Sequence, residues 1–487
     1  MKLTGFLFAA ALLGSCTQPA AEENYTRHVD PKIGTGGHGH VFVGANVPFG
    51  LVQVGPTSIP QTWDWCSGYH ASDSTVIGFS HTRLSGTGIG DLFDVTVMPV
   101  TGNVTYARGE EADPASGLWS YADRTQEIAR PGYYSVPLTR YGIRAELTAT
   151  ARVGLHRYTF PASDAAAVVF DLENGGCWDK ATETHLAKEG DRTVTGWRHS
   201  TGWAKDQRVY FAAEFSKPFE KFETIGDNYA RASFRTTDGE QVSLKVALSP
   251  VSIEGAKANL AAELPGWDFE ETAKAADKAW NDELSKVKIE TEDETSKRIF
   301  YTALYHTMVA PSLFCDVNGD YYGSDHAIHR NADFTNYTTF SLWDTYRAAM
   351  PLMTVLHPEK MADIVQTMLT ISDEQGRLPV WHLWGNETDC MVGNPGIPVV
   401  ADAIVKGIGG FDREKAFEAI RKTAMNPDRG NGLRMEYGYI PCEMFNEAVA
   451  YDMEYALADG AAARAAETLG KAEDAKYFEE RSHSYRN

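Results

Sequence analysis

A chain of 487 residues is longer than one hydrophobic core usually supports, so two domains are expected. Its 43% hydrophobic and 23% charged residues are those of a globular protein, and a formal net charge of −21 excludes the basic face that nucleic acid requires. Aromatic residues reach 11%, with 11 Trp and 22 Tyr, flat rings that serve core packing and also suit sugars.

The chain opens with Lys2, an apolar run from Phe6 to Leu13, and then Leu13-Gly14-Ser15-Cys16. This reads as an export signal, too short to persist as a spanning helix. The small residues before Cys16 resemble a bacterial lipobox, which implies cleavage there, lipid attachment to Cys16, and a periplasmic or outer-membrane protein that meets the membrane through its lipid anchor only. A plain secretory signal is the alternative. Cys66, Cys177, Cys315, Cys390 and Cys442 remain, an odd and scattered set without C-x-x-C, so no zinc site or disulfide framework follows.

Next comes the glycine-rich stretch Lys32 to Gly50, in which Gly34, Gly36 and Gly39 satisfy G-x-G-x-x-G. A dinucleotide fingerprint needs a strand before the glycines and a helix after them. Pro31 precedes them and short β-branched runs broken by Gly and Pro follow, which reads as strands and turns. The loop is therefore expected to be a place of close backbone approach rather than a phosphate cradle.

From about Tyr25 to Leu264 alternating segments such as "ELTATARVGLHRYTF" and "QVSLKVALS" are spaced by Gly, Asp and Pro, the pattern of a large antiparallel β-sandwich. At "LPGWDFEETAKAADKAWNDELSKV" the period becomes helical, predicting a linker helix. Beyond Thr291 seven or eight helices are expected, with two long loops, "FCDVNGDYYGSDHAIHRNADFTNYTTF" and "GRLPVWHLWGNETDCMVGNPG", of the kind that carries function. The last segment reaches Asn487 without a Gly cap, and the domain reads as unfinished.

Two chemical motifs fail on inspection. "DVNGDYYGSDHA" places Asp316, Asn318 and Asp320 at alternate positions, yet its sixth residue is Tyr321 and its twelfth Ala327, so it lacks the glycine and the glutamate of a calcium loop. Ser67, His70, Asp73, His81 and Ser85 could be drawn as a hydrolytic triad, but no G-x-S-x-G elbow supports it. What remains is a set of tryptophans beside carboxylates: Trp63, Asp64 and Cys66; Trp343 and Asp344; Trp381, Trp384, Glu387 and Asp389. An indole covers the C–H face of a pyranose while a carboxylate accepts from its hydroxyls. The plainer alternative packs Trp343 in a core and pairs Asp344 with Arg347.

The motifs "VDPKIGTGGHGHVFVGANVPFGLVQVGP", "GYHASDSTVIGFSHTRLSGTG", "FSLWDTYRAAMPL", "GNETDCMVG" and "GYIPCEMFNEAVAYDMEYALAD", in that order, resemble the family 92 glycoside hydrolases, mostly exo-acting α-mannosidases. The resemblance implies a multidomain α+β fold, an N-terminal antiparallel β-sandwich joined by helices to an (α/α)6 toroid, with the site between them. It partitions the chain into a signal and tether (1–24), the sandwich (25–265), linker helices (266–293) and the N-terminal part of the toroid (294–487). It further implies calcium-dependent hydrolysis with inversion of terminal α-mannosyl linkages in mannose-containing oligosaccharides or glycoproteins. Trp343 and Asp344 match the pair that holds the terminal mannose; Trp63, Asp64, Cys66 and His81, which fall in N-terminal motifs facing the same cleft, and Glu387 are likewise expected to bind substrate. His38 and His40 are expected near that sugar site.

Arg83 stands where the family usually shows His, and "GNPG" follows Met391-Val392 where Tyr-His is common. The family's catalytic acid and base and most of its calcium ligands are expected beyond Asn487, so no residue of this chain is given those roles, and the 487-residue chain is expected to be inactive alone. Two other readings stay open: a non-catalytic glycan-binding lipoprotein, and an (α/α)6 hydrolase acting on α-glucosides.

Overall fold

The computed structural model describes residues 23–175 and 178–487. Cys16 and Cys177 lie outside the described residues. Strands rich in alternating β-branched and aromatic residues assemble into two antiparallel sheets. The first has six strands in the order Gly55–Thr57, Gly78–Ser80, Thr96–Thr101, Ser163–Asp171, Tyr229–Thr236 and Lys221–Ile225. The second has eight, in the order Lys180–Glu189, Thr193–Thr201, Gln207–Phe215, Glu240–Ser249, Val153–Phe160, Ile143–Ala149, Tyr133–Leu138 and Ile128–Arg130. Their inner faces meet in one core, where Phe170 stacks on Phe211 at 6.0 Å and Phe160 meets Phe234 at 5.5 Å. This is a β-sandwich followed by a helical domain.

The sheets end at Ser249 and the chain turns helical at once, within the span read as β up to Leu264. Helix α1 (Ile253–Glu263) is capped by Ser252, whose Oγ accepts from the Gly255 amide at 3.0 Å. Its alanines and serine cap are helix signals; the neighbouring strand pattern masked them. Helix α2 (Phe269–Leu284) is the expected linker helix, capped by Asp268. Then follow α3 (Glu294–His306), α4 (Leu342–Thr345), α5 (Ala349–Leu356), α6 (Pro358–Gln375), α7 (Gly396–Val405), α8 (Arg413–Ala424), α9 (Asn431–Tyr437), α10 (Ala448–Thr468) and α11 (Ala472–Arg481).

Two details differ from the sequence pattern. The segment Ser341–Leu356 is not one helix: Pro351 brings no amide to bond Arg347, and the chain breaks between Thr345 and Ala349. Helix α9 arises between Gly430 and Gly438, both at positive φ, in a stretch too short to show helical periodicity.

The turn at Asn318-Gly319 forms as a turn should, with Gly319 at φ +84°. Asp316 is buried against α1, accepting from Ser249 Oγ and Asn259 Nδ2 at 2.8 Å each. Asp320 takes Arg330 Nη1 at 2.5 Å. Both are thus committed to protein partners. In the glycine loop the close approaches fall on Gly39, where a Cβ would stand 1.8 Å from the Gly34 carbonyl oxygen, and on Gly44, 2.2 Å from that of Val54. Gly36 has room, with Ala71 Cβ at 3.8 Å.

The halves interlock. Trp280 of α2 donates to the Asn46 carbonyl at 2.7 Å and Gln53 Nε2 to that of Val309 at 2.8 Å. Asn386 and Asp206 exchange two hydrogen bonds of 3.0 Å, and Trp203 meets Trp381 edge-on at 4.6 Å.

Candidate functional site

At the seam between the halves, a cavity of about 160 Å³ is lined by Thr87 from the sandwich and by His306, Thr339, Asp344 and Trp381 from the helical side. Among the larger hollows, one of about 520 Å³ lies beside Arg434 and Asn487 and one of about 510 Å³ beside Pro398 and Leu457; the second is lined by Tyr346 and Arg347, and neither is lined by Asp344 or by a tryptophan. The smaller cavity is the candidate site.

Asp344 sits in the single turn α4, which three residues separate from α5. Its carboxylate is exposed and accepts a hydrogen bond from Ser341 Oγ. The pairing with Arg347 does not form. Arg347 instead reaches Glu454 of α10, to which the Tyr346 hydroxyl also donates at 2.7 Å. Among the described residues Asp344 has no ion-pair partner. Trp343 is half-buried, and its Nε1 finds no hydrogen-bond partner among the described residues.

Beside this cavity lies a second group. Trp63 is 50% exposed, and its indole donates to the Gly88 carbonyl at 2.8 Å. A Cβ on Gly88 would come within 2.5 Å of the indole, so the ring's seat requires glycine. The His40 ring meets Trp63 edge-on at 4.3 Å. His38 Nδ1 lies 2.5 Å and His40 Nε2 3.4 Å from the same Asp64 oxygen, and the His38 hydrogen bond holds the Asp64 carboxyl below its usual range. The glycine loop therefore delivers two imidazoles to one carboxylate. Cys66 is fully buried and reaches the cavity only indirectly: its Sγ contacts the carbonyl of Thr87 at 3.5 Å.

His81 does not belong to the surface of the cleft. It is 0% exposed inside the sandwich, with Nδ1 2.6 Å from the Val95 carbonyl and Nε2 2.9 Å from His156 Nε2. Burial pushes its pKa down to about 3. The residue follows directly on the short strand Gly78–Ser80, and the chain points it inward, a fact its motif could not reveal. Arg83, the departure noted in the same motif, is also buried, lying over the Phe93 ring at 4.5 Å and donating to the Gly55 carbonyl. Burial lowers it to about 9.

Glu387 acts on the cavity through backbone. Its Oε1 accepts from the amides of Trp381 and Asp389 at 2.9 and 3.0 Å, and its Oε2 from that of Val380 at 2.8 Å. The carboxylate fixes the loop that presents Trp381. His306 was not singled out in the sequence; it ends α3 at the cavity wall, where burial lowers it to about 4 and keeps it neutral near pH 7. No local pattern around it signals a site, because its neighbours there come from distant segments.

The chemistry of these donors can be tested against calcium, which takes six to eight oxygens. At the cavity the carboxylate is Asp344, joined by threonine hydroxyls, a set too sparse to enclose a hard cation. The residues lining this cavity therefore do not fit the ion by themselves.

The family profile described as "Glycosyl hydrolase family 92 N-terminal domain" matches residues 28–249, and that described as "Glycosyl hydrolase family 92 catalytic domain" matches residues 255–487. Among solved structures, a family GH92 alpha-mannosidase of Bacteroides thetaiotaomicron in complex with mannoimidazole is 38% identical, with a TM-score of 0.92 over 95% of this chain and 64% of that one. A family GH92 inverting mannosidase of the same organism is 28% identical, with a TM-score of 0.86 over 96% of this chain and 65% of that one. An "Uncharacterized secreted glycosidase" of Arthroderma benhamiae is 26% identical over 99% of this chain and 64% of its own length. The chain thus spans under two thirds of these relatives. Two adjoining family profiles that together cover the sandwich and the helices leave one conclusion: the chain belongs to glycosyl hydrolase family 92.

Proposed function

We propose that the cavity at Asp344 holds the terminal α-mannosyl residue of mannose-containing oligosaccharides or glycoproteins, and that the full-length protein hydrolyses that linkage with inversion and with calcium. The observation that carries this reading is an exposed carboxylate without a counter-ion among the described residues, next to Trp343 and facing Thr87 across the seam of a family 92 chain. Such a carboxylate accepts from two adjacent hydroxyls, and the half-exposed ring of Trp63 beside the cavity offers a face to the sugar's C–H groups.

Inversion requires an acid and a base about 6.5–9.5 Å apart with water between them. No residue of this chain is proposed for either role. Glu387 is spent on backbone amides and Glu454 on Arg347 and Tyr346. Acid, base and calcium ligands are proposed to lie in the part of the relatives that this chain does not span. Cys16 is proposed as the lipid-bearing residue of an exported protein of the periplasm or outer membrane; among the described residues no helix is long and apolar enough to cross a membrane.

The test is an assay of the full-length protein on aryl α-mannosides and α-glucosides, with the released anomer followed by NMR. Calcium-dependent release of β-mannose is expected; α-mannose, or a preference for glucosides, would overturn the reading. The 487-residue chain by itself is expected to give no turnover. Incorporation of labelled fatty acid that Cys16→Ala abolishes is expected, and labelling that survives the substitution would refute the anchor.

A further inference from the structure

A second cluster of side chains lies apart from the cavity and is not used by the proposed reaction. The hairpin of strands Tyr321–Tyr322 and Ile328–His329 folds over the C-terminal end of α6, bringing Asp325 and His329 against Glu374. One ligand atom from each lies within 4.8 Å of the other two. His329 Nε2 is 3.1 Å from Asp325 Oδ1 and 3.3 Å from Glu374 Oε1.

Three observations bear on what this arrangement holds. First, one imidazole nitrogen faces two carboxylates, and a single N–H cannot serve both well. Second, the charge is unbalanced: among the described residues neither carboxylate has a lysine or arginine partner, while the nearby cations are engaged elsewhere, Arg330 with Asp320 and Lys415 with Asp373. Glu374, its side chain only 7% exposed, carries that charge into the interior. Third, the donors are held in place by other contacts. Tyr321 stacks on the His329 ring at 4.9 Å and 9°, the Tyr321 hydroxyl and the Ser324 amide donate to Glu374 at 3.0 and 2.7 Å, and the Ala327 amide donates to Asp325 at 3.0 Å.

We propose that Asp325, His329 and Glu374 form a binding site for a zinc-class divalent cation. Donor atoms of a tetrahedral ion with bonds of about 2.0–2.1 Å stand roughly 3.3 Å apart, which matches the two separations from His329. An imidazole donor disfavours calcium, which prefers oxygen alone, and suits zinc. Three protein ligands leave the fourth position to water. The site ties the hairpin to α6, and the hairpin's Ser324 Oγ lies 3.0 Å from His382 Nε2, next in sequence to Trp381 of the cavity. Its occupancy would stiffen that wall without taking part in the reaction.

Tag-free protein stripped with EDTA and titrated with zinc chloride by calorimetry is expected to take up one equivalent with micromolar affinity or better. His329→Gln and Asp325→Asn are each expected to weaken that binding at least tenfold while the circular dichroism spectrum and the metal-free melting temperature stay within a few degrees of the parent. Should His329→Gln fail to fold, Asp325→Asn at the exposed edge decides. Absence of one-site zinc binding to the folded parent, or a loss below tenfold in the folded variants, would overturn the proposal. Calcium competing as well as zinc would overturn the choice of cation.

Discussion

His81 and Asp344 both come from motifs of the same family resemblance, yet they end in opposite environments, and their chemistry follows from that. Around His81 the hydrogen bonds determine the protons. The Val95 carbonyl can only accept, so His81 Nδ1 carries hydrogen; His81 Nε2 then accepts from His156 Nε2, whose Nδ1 accepts from the Tyr158 hydroxyl at 2.7 Å. Both rings are neutral, pushed down by burial. A folded pKa of about 3 against an ordinary 6.5 means that the folded state binds fewer protons in between. The stability it contributes is full above about pH 6.5 and is lost as pH falls toward 3. Asp171, Asp179 and Asp316, raised to about 6 by burial, act with the opposite sign in part of that window, so the parent's profile alone is no test. His81→Gln removes one titration. The stability gap between parent and variant, from urea unfolding, is expected to narrow as pH falls from 7 to 4, by at most about 1.4 kcal/mol per pH unit. A gap that stays constant or widens would contradict the assignment.

Among the elements, the glycine loop illustrates what spacing conceals. Its three glycines at G-x-G-x-x-G look equivalent in sequence, but only the packed chain shows that Gly39 touches backbone while Gly36 stands free. Gly39→Ala is expected to cost more than about 2 kcal/mol in urea unfolding and Gly36→Ala under about 0.5; equal costs would mean that the loop is packed differently. The loop around Trp381 gives a second case. Glu387→Ala is expected to lower stability by about 2–4 kcal/mol, since the amides of buried Val380 and Trp381 would be left without acceptors. A change below about 1 kcal/mol would show that the amides find other partners. The sandwich, the linker helix and most of the helices were legible because periods of two and 3.6 are local properties. The break after α4 was legible in principle from Pro351. Helices α9 and α1 were not, the first being too short for a period and the second following the strand that ends at Ser249 across only Pro250, Val251 and its cap Ser252.

At the scale of the whole molecule, the two cores interpenetrate. Phe42, Phe49 and Tyr25 of the N-terminal half pack into the helical core, and Phe314, Tyr322, Trp381 and Trp384 of the helical half pack into the sandwich core. With Asn386, Asp206, Trp280 and Gln53 bridging the seam, calorimetry is expected to record one unfolding transition; two separate ones would show that the halves melt independently. The same interleaving explains why the site was only partly legible. Trp343, Asp344, Trp63 and Asp64 stand in motifs, but the company of Thr87, His306 and Trp381 depends on contacts between residues far apart in sequence, and the burial of His81 on which way one side chain turns. The central claim is that Asp344 grips the sugar. It is tested most directly by kcat/KM of the full-length protein on an aryl α-mannoside, parent against Asp344→Asn, with folding verified by circular dichroism. A fall of at least about 100-fold is expected for the loss of a charged partner to two hydroxyls; a value within about twofold of the parent would contradict the account.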